Sequence, residues 1–375
     1  MLLIENSSED FISSRLPYAT YLVKNGWDVY ALVPKSESNS VIQKAGINVS
    51  FYSLNRKNKG VFQLLKLIPL YRQVIKKNEI DIIHSFRFQP NLINVLANFF
   101  NKRKLILHVT GLGIAFSRKS FRYIAQKYLS KIIFLFKLLR ADRIIVQNLM
   151  DKKEICVFNI FSKKVSIILG SGVDINFFDP KKFSQKTSRT FYNIKDQTVI
   201  FVCVTRLIWE KGIKEMVDAF ESLHCEDKEC LLWIVGWPDL DNPRHVDLNY
   251  IEKFAHSNVV KFVGKEDDVR MRLSAANFFL FPSYYREGIP RSLLEALSMG
   301  KPIITTDMPG CNLTVENGEN GFLIEPYSSE AIRKTVLRCS QNDNFKAFES
   351  KSRIKAELEF SNDVVYFQIM RSYES

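Results

Sequence analysis

Phe281-Pro-Ser-Tyr-Tyr-Arg-Glu-Gly-Ile-Pro-Arg-Ser-Leu-Leu-Glu-Ala-Leu-Ser-Met-Gly-Lys-Pro-Ile-Ile-Thr-Thr-Asp307 carries the clearest architectural signal in the chain. An apolar strand ends near Phe281, and a turn follows with Glu287-Gly288-Ile289-Pro290. Pro290 suits the first turn of a helix, and Leu293, Leu294 and Leu297 recur at helical spacing before a second apolar run resumes at Ile303. Strand, turn, helix, strand is the unit of a parallel sheet. The turn aims backbone N–H groups toward the carboxyl end of the strand, where a helix N-terminus can hold phosphate.

The same alternation extends outward in both directions. In the first half, strand candidates fall at 27–33, 47–52, 81–86, 104–110, 143–148 and 165–169, after a short opening strand. Helical patterns at 13–25, 61–77 and 120–140 lie between them. After a polar, Lys-rich stretch at 179–197 the series restarts at 198–205, 231–235, 259–263, 278–282, 302–306 and 322–325. With 375 residues, too many for one core, this predicts an α/β protein of two Rossmann-like, doubly wound domains. The expected boundaries are 1–178 and 179–360. Residues 361–375 should form a C-terminal helix, with Val365, Ile369 and Tyr373 on one side, packing back toward the N-domain. Ligands of such sheets bind at strand carboxyl ends, so a central cleft between two facing domains is the expected site.

Charge is distributed unevenly. The net charge is +13, yet residues 1–190 hold 31 Lys and Arg against 12 Asp and Glu, and the remainder holds 22 against 28. The first half therefore carries +19 and the second −6, which points the first half toward an anionic partner. The six cysteines form no CxxC pair and no zinc spacing, which suits buried thiols in a reducing, cytoplasmic setting. The opening Met1-Leu-Leu-Ile-Glu-Asn lacks the features of a signal peptide, and the most apolar later stretch, Leu129 to Leu139, is too short and too charged to span a bilayer.

Glu287 and Glu295 flank the Gly-Xaa-Pro turn. Two isolated glutamates are ordinarily solvated surface residues, but that reading leaves their placement around a turn between two buried strands unexplained. The stretch resembles the E-x7-E motif of retaining, GT-B-type glycosyltransferases of family 4, in particular bacterial members that build surface polysaccharide or lipid-linked oligosaccharide. Val204-Thr-Arg206-Leu-Ile-Trp-Glu-Lys211-Gly212 is similar to that family's R-x4-K-G loop. Ile234-Val-Gly236 and Phe262-Val-Gly264 are similar to its strand-ending glycines. Ser14-Arg-Leu-Pro17, Val109-Thr-Gly-Leu-Gly113, Val146-Gln-Asn148 and Gly170-Ser-Gly-Val-Asp174 match N-domain landmarks.

The resemblance implies a GT-B fold and transfer of a hexose or N-acetylhexosamine from a UDP-sugar, with retention and without metal or other cofactor. The implied acceptor is a glycan linked to polyprenyl diphosphate, met at the inner face of the cell membrane. Arg206 and Lys211 would hold the donor diphosphate, where two cations stabilise the charge gathering on the leaving group. Glu295 would accept hydrogen bonds from the ribose hydroxyls. Glu287 would contact the sugar at the reacting centre. Gly288, Ile289 and Pro290 would line sugar and phosphates, with Gly236 and Gly264 toward the base. Thr110, Gly111 and Gly113 would close over the donor; many relatives carry His where this chain has Thr110.

His108 reads as a satisfied strand histidine, while His84 ends a strand whose carboxyl end points toward the site. Asp239-Leu-Asp241 superficially matches a D-x-D metal motif, but its Pro-flanked loop reads as turn chemistry. The segment Arg118 to Arg140 places Phe121, Ile124, Leu129, Ile132, Ile133, Phe136 and Leu139 on one helical face, bordered by Arg122, Lys127, Lys131 and Lys137. That pattern suits peripheral contact with an anionic membrane. Two rivals make different demands. A nucleotide-sugar 2-epimerase of the same fold would turn over donor without acceptor, and the E-x7-E segment counts against it. A basic nucleic-acid-binding protein would cluster its cations among aromatic platforms, whereas these are dispersed along helices.

Overall fold

The computed structural model describes residues 1–37, 39–53, 65–113, 116, 121–156, 161–223, 229–240, 242–341 and 345–374. The chain divides into two units, Met1–Gly172 with Asn362–Ser375, and Val173–Ser361. The junction lies six residues before the expected 178/179 boundary, for a local reason. Val173 N–H donates to Phe360 O, and Phe178 O accepts from Ser298 and Arg353, so residues 173–178 are bonded into the second unit. Counted by unit, the first holds 28 basic and 12 acidic residues and the second 25 and 28.

The first unit contains β1 (Leu2–Ile4), β2 (Tyr30–Pro34), β3 (Asn48–Tyr52), β4 (Ile82–Phe86), β5 (Lys104–Val109), β6 (Arg143–Val146) and β7 (Val165–Ile167). They form one parallel sheet in the order β3-β2-β1-β4-β5-β6-β7. Because strand side chains alternate, Leu3 joins one apolar layer and its neighbours Leu2 and Ile4 join the other. Burial on both faces is what near-continuous apolar strands such as Lys104–Val109 require. The segment read as one helix over 13–25 is two, Ser8–Ser14 and Leu16–Lys24, broken at Arg15. Pro17 sits in the first turn of the second, where its missing N–H costs nothing. Of the helical pattern at 61–77, residues 68–77 form a helix, while 61–64 lie outside the described residues.

The C-terminal helix Asn362–Glu374 belongs to the first unit. Val365, Ile369 and Tyr373 are buried there. The Tyr18 hydroxyl donates to that of Tyr373 at 2.7 Å, and the Tyr373 oxygen lies 2.7 Å from His84 Nδ1.

The second unit contains β8 (Val199–Val204), β9 (Cys230–Val235), β10 (Val260–Gly264), β11 (Phe278–Phe281), β12 (Ile303–Thr306) and β13 (Gly321–Ile324). Its parallel order is β10-β9-β8-β11-β12-β13. In each sheet the chain order reverses once beside the first strand, between β1 and β4 and between β8 and β11. Crevices at such reversals, outside the strand carboxyl ends, are where doubly wound sheets bind ligands.

Candidate active site

Two loops leave the reversal point of the second sheet. After β8 the chain passes Arg206 and makes a short 3-10 turn, Trp209–Lys211. It then enters the helix Ile213–Leu223 through Gly212 at φ +75°. A Cβ on Gly212 would stand 2.5 Å from Pro282 O, so only glycine gives both the left-handed conformation and this approach to the loop after β11. That packing carries Lys211 inward. Its side chain is 6% exposed, lies over the Phe281 ring and donates a short hydrogen bond to Glu287 Oε1. A surface lysine at a helix start would be solvated, and this one is not.

After β11, Ser283 Oγ donates to the same Glu287 Oε1 at 3.2 Å, so two donors fix this carboxylate. The Glu210 carbonyl accepts from Tyr284 N–H at 3.0 Å and ties the two loops together. Glu210 itself is buried and accepts from Arg244 Nε at 2.8 Å. Pro290, with φ −62° and ψ 130°, precedes the helix Arg291–Ser298 as its cap. Gly288 lies against a third loop, because a Cβ on Gly310 would stand 2.1 Å from Gly288 O. Ile289 is buried. Leu293 and Leu294 N–H donate to Pro290 O, and the first turn of a helix favours an anion.

Glu295, one turn into the helix, accepts from Arg291 at 3.0 Å. Burial raises its pKa, and the Arg291 guanidinium opposes that shift. Gly236 and Gly264 end the adjacent strands β9 and β10, and Gly236 N–H donates to Gly264 O at 2.8 Å. A Cβ on Gly236 would lie 1.7 Å from Thr205 O, which leaves no room for any other residue beside the Arg206 loop. Arg206 is half exposed and pairs with Asp239 Oδ2 at 2.8 Å. Asp239 is therefore a counter-ion; Asp241 lies outside the described residues.

The second unit thus gathers Arg206, Lys211, Gly236, Gly264, Glu287, Gly288, Ile289, Pro290 and Glu295 at the ends of four neighbouring strands. Thr110, Gly111 and Gly113 belong to the first unit, where they follow β5, and both glycines take positive φ. His84 and His108 are fully buried on neighbouring strands with rings stacked at 5.6 Å. Burial lowers the pKa of each well below the usual histidine value. His84 is accordingly bonded within its unit and presents no group to solvent.

The helix Phe121–Arg140 corrects one expectation. Lys137 does not border an outer face. It is fully buried, donates to Phe88 O at 3.1 Å and lies 3.7 Å over the Phe88 ring, and burial holds its pKa well below the lysine value. Lys127 and Lys131 both pair with Glu154, at 2.7 and 3.1 Å. Of the apolar residues, Ile124, Leu129, Ile132 and Leu139 are exposed, joined by Tyr128 and Leu135, while Ile133 and Phe136 are half-buried. Arg118 and the side chains of Phe121 and Arg122 lie outside the described residues.

Five participants were not read from the sequence: Ser283, Gly310, Asp239 as counter-ion, and Glu210 with Arg244. Only Gly310 left a signal, a glycine just beyond an apolar strand. Ser283 meets Glu287 only four residues away, and the remaining contacts join segments 33 and 34 residues apart.

Known proteins share the family and the fold. The family described as "Glycosyl transferases group 1" matches residues 184–356, and "Glycosyl transferase 4-like" matches residues 1–148. The chain is 23% identical over 364 residues, 96% of its length and 94% of the relative's, to an N,N'-diacetylbacillosaminyl-diphospho-undecaprenol alpha-1,3-N-acetylgalactosaminyltransferase of Campylobacter jejuni. It is 26% identical over 306 residues, 81% of its length and 77% of the relative's, to an Escherichia coli UDP-Gal:alpha-D-GlcNAc-diphosphoundecaprenol alpha-1,3-galactosyltransferase. Among solved structures, Anabaena Alr3699/HepE in complex with UDP superposes with a TM-score of 0.80 at 18% identity, covering 100% of this chain and 99% of that one. A glycosyltransferase from Rickettsia africae gives 0.81 at 20% identity, covering 100% and 97%.

Proposed function

The chain belongs to the GT-B glycosyltransferases of the family-4 type, and on that premise we propose that it moves a sugar from a UDP-sugar to a polyprenyl-diphosphate-linked glycan. The observation that carries this reading is the buried Lys211 ammonium held against Glu287 at the start of the Arg291–Ser298 helix. An ammonium, a guanidinium and a helix N-terminus at one sheet reversal suit a diphosphate. The names of the relatives support a uridine donor and a diphospho-undecaprenol acceptor.

In the proposed reaction the anomeric C–O bond breaks and its electron pair passes to the outer phosphate of UDP, where Lys211 and the helix N–H groups stabilise it. The acceptor hydroxyl attacks from the same face, and its proton passes to the departing phosphate oxygen, so configuration is retained. Glu287 orients the sugar, and Glu295 holds the ribose. The protein's own cations neutralise the leaving group, so no divalent ion is needed. On the acceptor side, the exposed row Ile124, Tyr128, Ile132, Leu135 and Leu139 gives the first unit an apolar surface for a membrane. Among the described residues no helix is long and apolar enough to cross one.

The test is product analysis after incubation with a panel of UDP-sugars and a polyprenyl-diphosphate-linked acceptor, with EDTA present. A lipid-linked product of retained configuration supports the proposal. Transfer only to soluble acceptors, or activity that requires added manganese, contradicts it.

A further inference from the structure

The edge of the first sheet remote from its strand carboxyl ends holds a groove of about 860 Å³. Arg72, Lys76, Lys102, Arg103 and Lys104 line it against a single acid, Asp81. Arg103 pairs with Asp81 at 3.0 Å, which uses that carboxylate. Arg72 donates to Ala97 O, while Lys76 and Lys102 are exposed and in no ion pair among the described residues. Among its described lining residues the groove therefore keeps a positive excess, although Lys104 donates to Tyr373 O.

Phe100 stands among the same lining residues and is 91% exposed, yet it is firmly built. Its ring packs edge-on against Phe99, which stacks on Phe136 of the Phe121–Arg140 helix at 5.2 Å. Arg140 of that helix donates to the carbonyls of Asn98, Asn101 and Arg103, so the loop carrying Phe100 is riveted to the helix end. The exposed row Ile124, Tyr128, Ile132, Leu135 and Leu139 runs along this helix toward the loop. An apolar row that leads to a protruding aromatic beside a cationic groove matches the interfacial layer of an anionic bilayer, with acyl chains beneath phosphate. Nucleic acid would find no use for the aliphatic row.

We infer that this groove is a second anion site, which seats the phosphate headgroups of an anionic bilayer while Phe100 enters the layer below. The inference rests on the membrane reading above and adds a place and a chemistry to it. It also assigns part of the basic excess of the first unit to a surface distinct from the residues that follow its strand carboxyl ends.

The experiment is sedimentation of the full chain with phosphatidylcholine vesicles, with and without phosphatidylglycerol, at low salt. Wild type should bind only the anionic vesicles. The double variant Lys76→Glu/Lys102→Glu should bind them about tenfold or more weakly, the scale of two cations lost from an anionic leaflet. Phe100→Ser should lose several-fold, and both variants should keep wild-type affinity for UDP. If both sediment like wild type while Ile132→Ser/Leu139→Ser does not, the groove is overturned and the membrane reading stands. If wild type ignores anionic vesicles, both fall. Equal displacement by inorganic pyrophosphate at matched ionic strength, without preference for anionic vesicles, would overturn the bilayer in favour of a soluble anion.

Discussion

The two sheets reverse at the same topological point and fill it in opposite ways. Between β1 and β4, Glu5 is wholly buried, 3.5 Å from Arg15 and 3.3 Å from Arg87, and Arg87 reaches on to Asp10 at 2.7 Å. Arg15 lies 4.1 Å over the Phe86 ring. Burial raises the Glu5 pKa and lowers that of Arg15, and each charge partly offsets the shift in the other. Between β8 and β11, cations also meet carboxylates, but Arg206 is half exposed and Glu287 is 21% exposed. They stand among glycines and a helix N-terminus. The first cluster buries its central pair, Glu5 and Arg15, and leaves only Arg87 and Asp10 partly exposed; on the proposed reading the second is built from pairs that a diphosphate would replace.

If that contrast is right, the largest effect belongs to the buried pair. Glu5→Ala leaves Arg15 uncompensated and should cost about 3–5 kcal/mol of stability. Denaturant melts would measure this, and UDP affinity of the folded fraction should not change. A near-neutral melt would mean that the first crevice is as pliable as the second. Next comes Glu287→Ala, which should lower turnover by about 100- to 1,000-fold, the scale of one lost transition-state contact. UDP affinity should not fall, because the Lys211 ammonium that Glu287 holds is left to the diphosphate; equal loss of both would erase the division of labour between Glu287 and Glu295.

Much of this was legible in the sequence because it is local. Strand runs, the Gly288–Pro290 turn and the Lys211-Gly212 step each announce themselves within a few residues. Gly212 in particular encodes both a left-handed backbone and a close approach to Pro282. What was hidden is pairing at long range. Nothing near Arg87 reveals that it meets Glu5 and Asp10, and nothing near Lys137 reveals that it meets Phe88. Lysine on a helix face reads as a solvated flank, so the membrane-bordering role fell to a residue that the fold places inside.

A smaller effect tests the carboxylate one turn into the Arg291–Ser298 helix. The Glu295 pKa is raised by burial, so its charged form is lost on acidification at a higher pH than for an ordinary glutamate. If that form binds ribose, UDP affinity should fall as pH drops through this raised value, and Glu295→Gln should flatten the dependence. An unaltered pH profile in the variant would remove Glu295 from the ribose. The smallest effect is a gain. Asp239→Asn frees Arg206 from a partly exposed partner and should tighten UDP by about 0.2–1 kcal/mol. Weaker binding would make Asp239 part of the site instead of a counter-ion.

Calorimetric titration of UDP into wild type and Lys211→Ala tests the central claim most directly, because Lys211 is the one buried cation assigned to the diphosphate. The expected loss is about 1.5–3 kcal/mol, the range for a hydrogen bond to a charged group. A variant that melts like wild type and binds UDP as tightly would contradict it.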